Sequence, residues 1–299
     1  MLKVSHISKW YDDIKAVDDL SFEVSEKEIF GLLGVNGAGK TTTFRMIVGL
    51  LDQDEGTITL NNKPIDYTIT DKIGFLTKEK SLLVKLTVKE QIHYYATLKG
   101  MDKKTIDKQL DYWLNRLHIS EFKNKKLKEL SKGNQQKIQF ITAIINNPKL
   151  LILDEPFTSL DPFNVSLLVE ILKELSSKGT IVIFSSHRME HVEMFCDRLL
   201  ILVEGKTILS GSLKEIKENY RKKNIHINAN IKIDELKDIK GVENVSKTKE
   251  DIVVQISDSS YIDNVFNVIK KSTNVTKFVV EDPTLNEIFV SIVGDVYDK

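Results

Sequence analysis

Gly34-Val35-Asn36-Gly37-Ala38-Gly39-Lys40-Thr41-Thr42 is the stretch on which the reading of this chain turns. It fits the phosphate-loop pattern G-x-x-x-x-G-K-[ST], and its flanks matter as much as its letters. An apolar run, Ile29 to Leu33, leads into it and a helical pattern, Thr41 to Leu50, leads out. Glycines at 34, 37 and 39 let the backbone take positive φ, so successive N–H groups can turn toward phosphate oxygens. The following helix aims the positive end of its dipole at the same place. In that setting Lys40 reaches the β- and γ-phosphates of a nucleotide, and the Thr41 hydroxyl takes one position on Mg²⁺.

Outward from this loop, the chain has room for one large or two moderate domains. Its 299 residues are 41% apolar, enough for a buried core. Charge is balanced, 43 basic against 43 acidic residues, so composition points neither to nucleic acid nor to a polybasic membrane anchor. Cys196 is the one cysteine, which excludes an intramolecular disulfide and a cysteine-based zinc site and fits a reducing cytosol. Met1 to His6 lacks the basic start and apolar core of a signal peptide. Apolar runs such as Leu199 to Val203 are strand-sized, far short of the roughly 18 to 20 residues of a membrane helix. The chain is expected to be soluble by itself, with any membrane role supplied by a partner.

Strand-like patterns run from Leu2 to Val24, and Gly56 to Leu60 reads as a strand entering a tight turn at Asn61-Asn62. A short strand follows at Ile73 to Leu76. Three helices come next: one capped by the box Thr87-Val-Lys-Glu90, one from about Thr105 to Leu117, and one capped by Ser131 and stopped by Pro148. They form an inserted helical subdomain over about 78–147. Leu150 to Leu153 and Thr180 to Phe184 are continuous apolar strands, separated by a helix that starts at Asp161-Pro162 and ends before Gly179. Strand, helix and strand in this order imply parallel pairing, which puts ligand chemistry at the carboxyl ends, where Gly34, Asp154 and His187 fall. A hairpin turns at Glu204-Gly205 and a helix capped by Ser212 runs to Tyr220. The boundary is placed after it, giving domains 1–220 and 221–299. The second domain reads strand 225–230, helix 233–239, strands 242–248 and 251–257, helix 259–271 and strand 275–280, a ferredoxin-like βαββαβ order. A capping box, Thr284-Leu-Asn-Glu287, opens a last helix.

Two further stretches complete a nucleotide site. Asp154-Glu155, at the end of a buried strand, supplies a carboxylate for Mg²⁺ and a second one able to polarise water for attack on the γ-phosphorus. Leu130-Ser-Lys-Gly-Asn-Gln-Gln-Lys137, about twenty residues earlier, reads by itself as a helix cap at Ser131. It also resembles the signature motif L-S-G-G-Q of ATP-binding-cassette ATPases. Ser131 and Gly133 match; Lys132 and Asn134 depart from it, as in a bacterial exporter subfamily. The resemblance covers residues 1 to about 220. It implies an α/β fold, a P-loop NTPase cassette with a mostly parallel sheet, an N-terminal antiparallel β part and the helical subdomain. The small α+β domain follows it.

By that resemblance Tyr11 stacks on adenine, and Gly34, Val35, Asn36, Gly37, Ala38, Gly39, Lys40, Thr41 and Thr42 hold the phosphates. Thr41 and Asp154 hold Mg²⁺, Glu155 and His187 act with Lys40 in catalysis, and Ser131 and Gly133 close the site of a second subunit in trans. Ser159-Leu160-Asp161 resembles the loop that crosses the dimer interface. Where the family has a glutamine, alignment through Leu82 to Val88 places Lys78, followed by Glu79. An ammonium is a donor without an acceptor and repels Mg²⁺, so either Glu79 substitutes after a one-residue shift or the position matters less here. Glu281-Asp-Pro-Thr-Leu-Asn-Glu-Ile-Phe289 is similar to the end of the accessory domain in bacterial sodium-efflux and drug- or peptide-export (ABC-2 type) ATPases. That domain reads either as regulatory or dimer-supporting, or as a passive appendage.

The expected function is therefore ATP hydrolysis by the nucleotide-binding subunit of an exporter, cytoplasmic and held at the inner face of the cell membrane by a separate permease. It would work as a homodimer or with a second cassette, without nucleic acid. Two alternatives remain, a soluble cassette ATPase uncoupled from transport and a non-catalytic ATP-binding regulator of a membrane protein. A GTPase or kinase would leave residues 130–137 without a role.

Overall fold

A computed structural model describes residues 1–78 and 82–297 of the chain. They divide into two compact units, Met1–Gly211 and a second from Ser212 onward.

The first unit opens with a hairpin, β1 (Leu2–Tyr11) and β2 (Ile14–Val24), followed by the fully buried β3 (Ile29–Gly34) and helix α1 (Lys40–Ile47). Strands β4 (Glu55–Leu60) and β5 (Lys63–Pro64) turn at Asn61 and Asn62, whose φ of 52° and 62° is the left-handed pair that a two-residue hairpin needs. After β6 (Ile73–Leu76) come α2 (Val88–Leu98), α3 (Lys103–Arg116) and α4 (Lys132–Ile144), the inserted helices. The chain returns through β7 (Leu150–Leu153), α5 (Pro162–Ser177), β8 (Ile181–Ser186), α6 (Met189–Phe195), β9 (Arg198–Val203) and β10 (Lys206–Ser212).

Two sheets result. One is antiparallel in the order β2-β1-β4-β5; the other has six strands in the order β10-β9-β3-β8-β7-β6. Its neighbours β9/β3, β3/β8, β8/β7 and β7/β6 all run parallel. Helix α1 lies in the core shared by both sheets, its Phe44 and Ile47 fully buried among Val17 and Leu20 of one and Phe30, Leu32 and Ile183 of the other. On the opposite face Phe184 stacks on Phe195 of α6 at 4.7 Å and meets Phe157 edge-on.

The helix starts follow the expected side chains. Thr87 and Glu90 close a full capping box, Ser131 accepts Asn134 N–H at 3.2 Å, and Asp161 accepts Asn164 N–H at 2.9 Å ahead of Pro162. The cap of α3 is Asp102, earlier than the periodicity predicts.

In the second unit, α7 (Leu213–Asn219) precedes β11 (Lys223–Asn230), α8 (Ile233–Lys237), β12 (Val242–Lys247), β13 (Ile252–Ile256), α9 (Ile262–Ile269), β14 (Thr273–Glu281) and α10 (Leu285–Tyr297). The sheet order β12-β13-β11-β14, antiparallel throughout, is the ferredoxin-like arrangement. The unit has its own core, built from Ile225, Ile227, Val254, Ile256, Val265 and Ile269. The sequence places the boundary after Tyr220, whereas the contacts assign α7 to the second unit.

Candidate functional site

Register brings the acidic end of β7 to its partners. Leu153 lies opposite Phe184 in the parallel pair β7/β8, so Asp154 and Ser185 come next to each other at the carboxyl edge. Ser185 Oγ donates to Asp154 Oδ1 at 2.6 Å and accepts Glu155 N–H at 3.0 Å. From the first turn of α1, Thr41 Oγ1 donates to Asp154 Oδ2 at 2.8 Å. Asp154 and Glu155 are only 2% and 7% exposed. Glu155 has a φ of 55°, uncommon for a side chain with a Cβ, and the bond to Ser185 helps hold it there. His187 Nδ1 lies 2.8 Å from Glu155 Oε2, which joins Thr41, Asp154, Ser185, Glu155 and His187 into one hydrogen-bonded run.

The loop above this run is shaped by close backbone contacts. A Cβ on Gly34 would come within 2.4 Å of Leu202 O, and one on Gly39 within 2.5 Å of Ala16 O; a Cβ on Gly37 would meet nothing within 4 Å. Gly205, in the turn between β9 and β10, donates its N–H to Ala38 O at 3.2 Å and accepts Asp18 N–H at 2.9 Å. Lys40 Nζ donates to Gly34 O at 2.7 Å and Val35 O at 2.9 Å. Burial pulls the Lys40 pKa below the usual lysine value, and the nearby Glu155 and Asp154 carboxylates oppose that shift.

Together these groups line a cleft of about 250 Å³, walled by Asn36 to Thr42, Ala16, Lys78, Asp154 and Glu155. A second cleft, of about 210 Å³, adjoins it through Glu155 and is bordered by Phe157 to Leu160, His187, Arg188 and His191. His191 is packed edge-on against Phe157 at 4.9 Å, and burial lowers its pKa first among the causes.

Several expected residues stand elsewhere. Gly34 and Val35, which begin the loop, meet Lys40 through their carbonyls rather than lining the cleft. Tyr11, at the tip of the first hairpin, is 44% exposed and outside the residues lining it. Ser131 and Gly133 are also outside: a Cβ on Gly133 would be 2.9 Å from Ser159 O, so the start of α4 faces the 159–161 loop of its own chain. Gln136 Nε2, one turn on, donates to Pro156 O at 2.9 Å. Lys78 does line the cleft, and Glu79 lies outside the described residues.

The oxygen donors fit Mg²⁺. Thr41 Oγ1 and a buried Asp154 carboxylate stand together on the cleft wall, and no group of three or more acidic, His or Cys ligands occurs among the described residues. Such a sparse set suits a cation that takes its remaining ligands from substrate phosphates and water.

Sequence reasoning missed Ser185, although two serines ending the otherwise apolar strand β8 were a visible signal. It also read Glu204-Gly205 as a turn only, without its brace on Ala38.

Residues 17–158 match the family model for ABC transporters, and residues 211–293 match that for the C-terminal domain of DrrA1-3-like ATP-binding proteins. The chain is 46% identical over 298 residues to the ABC transporter ATP-binding protein YhaQ of Bacillus subtilis, covering 100% of both chains. It is 38% identical over 210 residues to the Nod factor export ATP-binding protein I of Rhizobium etli, covering 69% of this chain and 66% of that one. A dimeric bacterial ABC transporter cassette superposes with a TM-score of 0.67 at 26% identity, over 71% of this chain and 99% of the cassette.

Proposed function

Because the chain belongs to the ATP-binding proteins of ABC transporters, we propose that it hydrolyses ATP at the cleft lined by Asn36 to Thr42 and drives export through a separate membrane permease. What supports this reading above all is the hydrogen-bonded run from Thr41 through Asp154, Ser185 and Glu155 to His187.

Loop N–H groups and the α1 terminus hold the phosphates, with Lys40 balancing charge on the β- and γ-oxygens. Mg²⁺, held by Thr41 and Asp154, would supply further charge neutralisation there. Glu155 accepts a proton from water as its oxygen attacks the γ-phosphorus. The bond from phosphorus to the β,γ-bridging oxygen breaks, the electron pair stays with ADP, and inorganic phosphate is released. His187 orients Glu155 and offers a donor to the γ-phosphate. Tyr11 supplies an exposed ring for adenine.

Beside the buried Glu155 of the single-chain cleft, the His187 side chain is 62% exposed. A second cassette, identical or similar, closes the cleft with Ser131 and Gly133, and γ-phosphate loss reverses the closure. No helix among the described residues is long and apolar enough to cross a membrane, which suits a chain held at the inner face of the cell membrane by its permease. No role for nucleic acid is proposed.

Glu155→Gln removes the base and keeps the shape. It is expected to accumulate an ATP-bound dimer in gel filtration with ATP and Mg²⁺. A monomer that hydrolyses ATP at the unmodified rate would overturn the proposal.

A further inference from the structure

The second unit has two sheet edges, and they are built differently. At β12 the register shifts between Val242 and Asn244, Glu243 pairs with Lys222 at 2.8 Å, and Lys247 is exposed. A bulge and charges of this kind discourage further pairing. At β14 the pairing with β11 runs unbroken from Asn224↔Glu281 to Asn228↔Lys277, and the register shift and the left-handed Asn274 lie beyond it. Val275, Val279 and Val280 are 42%, 38% and 38% exposed on this edge. Phe266 of α9, itself 48% exposed, packs edge-on against Phe278 at 5.2 Å and extends the apolar border. Glu287 of the last helix accepts from Asn224 Nδ2 of β11 at 2.8 and 2.9 Å.

A β-branched, net-neutral edge such as Val275-Thr-Lys-Phe-Val-Val-Glu281 is an open template for another strand. Its charges select a partner. In an antiparallel self-pair with its two-fold at Val279, Lys277 faces Glu281 of the other copy twice over, Val279 faces itself, and Phe278 faces Val280 on the helix-covered side. A two-fold at 277 or 281 opposes like charges; one at 278 or 280 sets charges against valines. Glu281 is 58% exposed, and Lys277, although it bonds Asp251 at 2.5 Å, remains 42% exposed. We propose that β14 is a homodimer contact, pairing antiparallel with β14 of a second copy of this chain about Val279. This contact needs no nucleotide and does not rest on the cassette site.

Sedimentation equilibrium of the full chain without nucleotide tests it. The unmodified chain is expected to self-associate, and Glu281→Lys, on an exposed side chain, to weaken association about tenfold by opposing two pairs of ammonium groups. Oxidation of Val279→Cys is expected to give a covalent dimer. Val275→Cys is expected to give none, because in this register the two residues 275 lie roughly 26 Å apart. Cys196 is buried and does not compete. A chain that stays monomeric, an unchanged association constant for Glu281→Lys, or equal cross-linking at 275 and 279 would overturn the proposal.

Discussion

Ser185 holds two functional groups with one hydroxyl, donating to the Asp154 carboxylate and accepting from the Glu155 backbone. Replacing it with alanine leaves one buried carboxylate oxygen and one buried N–H without that partner, and frees Glu155 to leave its left-handed conformation. Ser185→Ala is expected to lower kcat about 10- to 100-fold with little change in ATP affinity, read by steady-state phosphate release alongside nucleotide-binding titration. Lys78 lines the same cleft but has no acceptor to offer Mg²⁺ or water. Lys78→Gln is therefore expected to retain ATP hydrolysis in the same assay; complete loss would assign the ammonium an essential part. The phosphate loop was legible in the sequence because its residues are adjacent and its spacing is rigid. Ser185 was not, because its partner lies 31 positions away and only the β7/β8 register brings them together.

Elements were legible where a side chain ends or starts them. Thr87, Ser131, Asp161 and Thr284 each accept the backbone N–H three residues on, a local bond that sequence spacing reports directly. Packing between elements was less legible. Gly74 in β6 looks like any strand glycine, yet a Cβ there would fall 2.2 Å from Ala143 O in α4. Close approach of α4 to β6 therefore depends on a missing side chain. Gly74→Ala is expected to destabilise the first unit by about 1–3 kcal/mol, seen as a lower urea midpoint, as overpacking in a core does. Helix α7 shows the same limit. Its cap at Ser212 fixed where it starts, but not which unit the helix joins.

At the scale of the whole molecule, the buried cluster around α1 in the first unit and that around α8 and α9 in the second share no residues among those described. Each core is large enough to give its unit a cooperative transition of its own. Differential scanning calorimetry is expected to show two transitions, and ATP with Mg²⁺ to raise only the one belonging to residues 1–211, by the linkage between binding and stability. Element order made both folds readable from the sequence, since a parallel α/β pattern and a βαββαβ pattern each leave few topologies. The phosphate loop belongs to this scale too, because Ala16 and Leu202 press on its glycines and Gly205 bonds Ala38. During synthesis the loop leaves the ribosome long before the hairpin that braces it. The nascent chain thus carries its phosphate loop through more than 160 further residues of synthesis before the turn that bonds Ala38 exists.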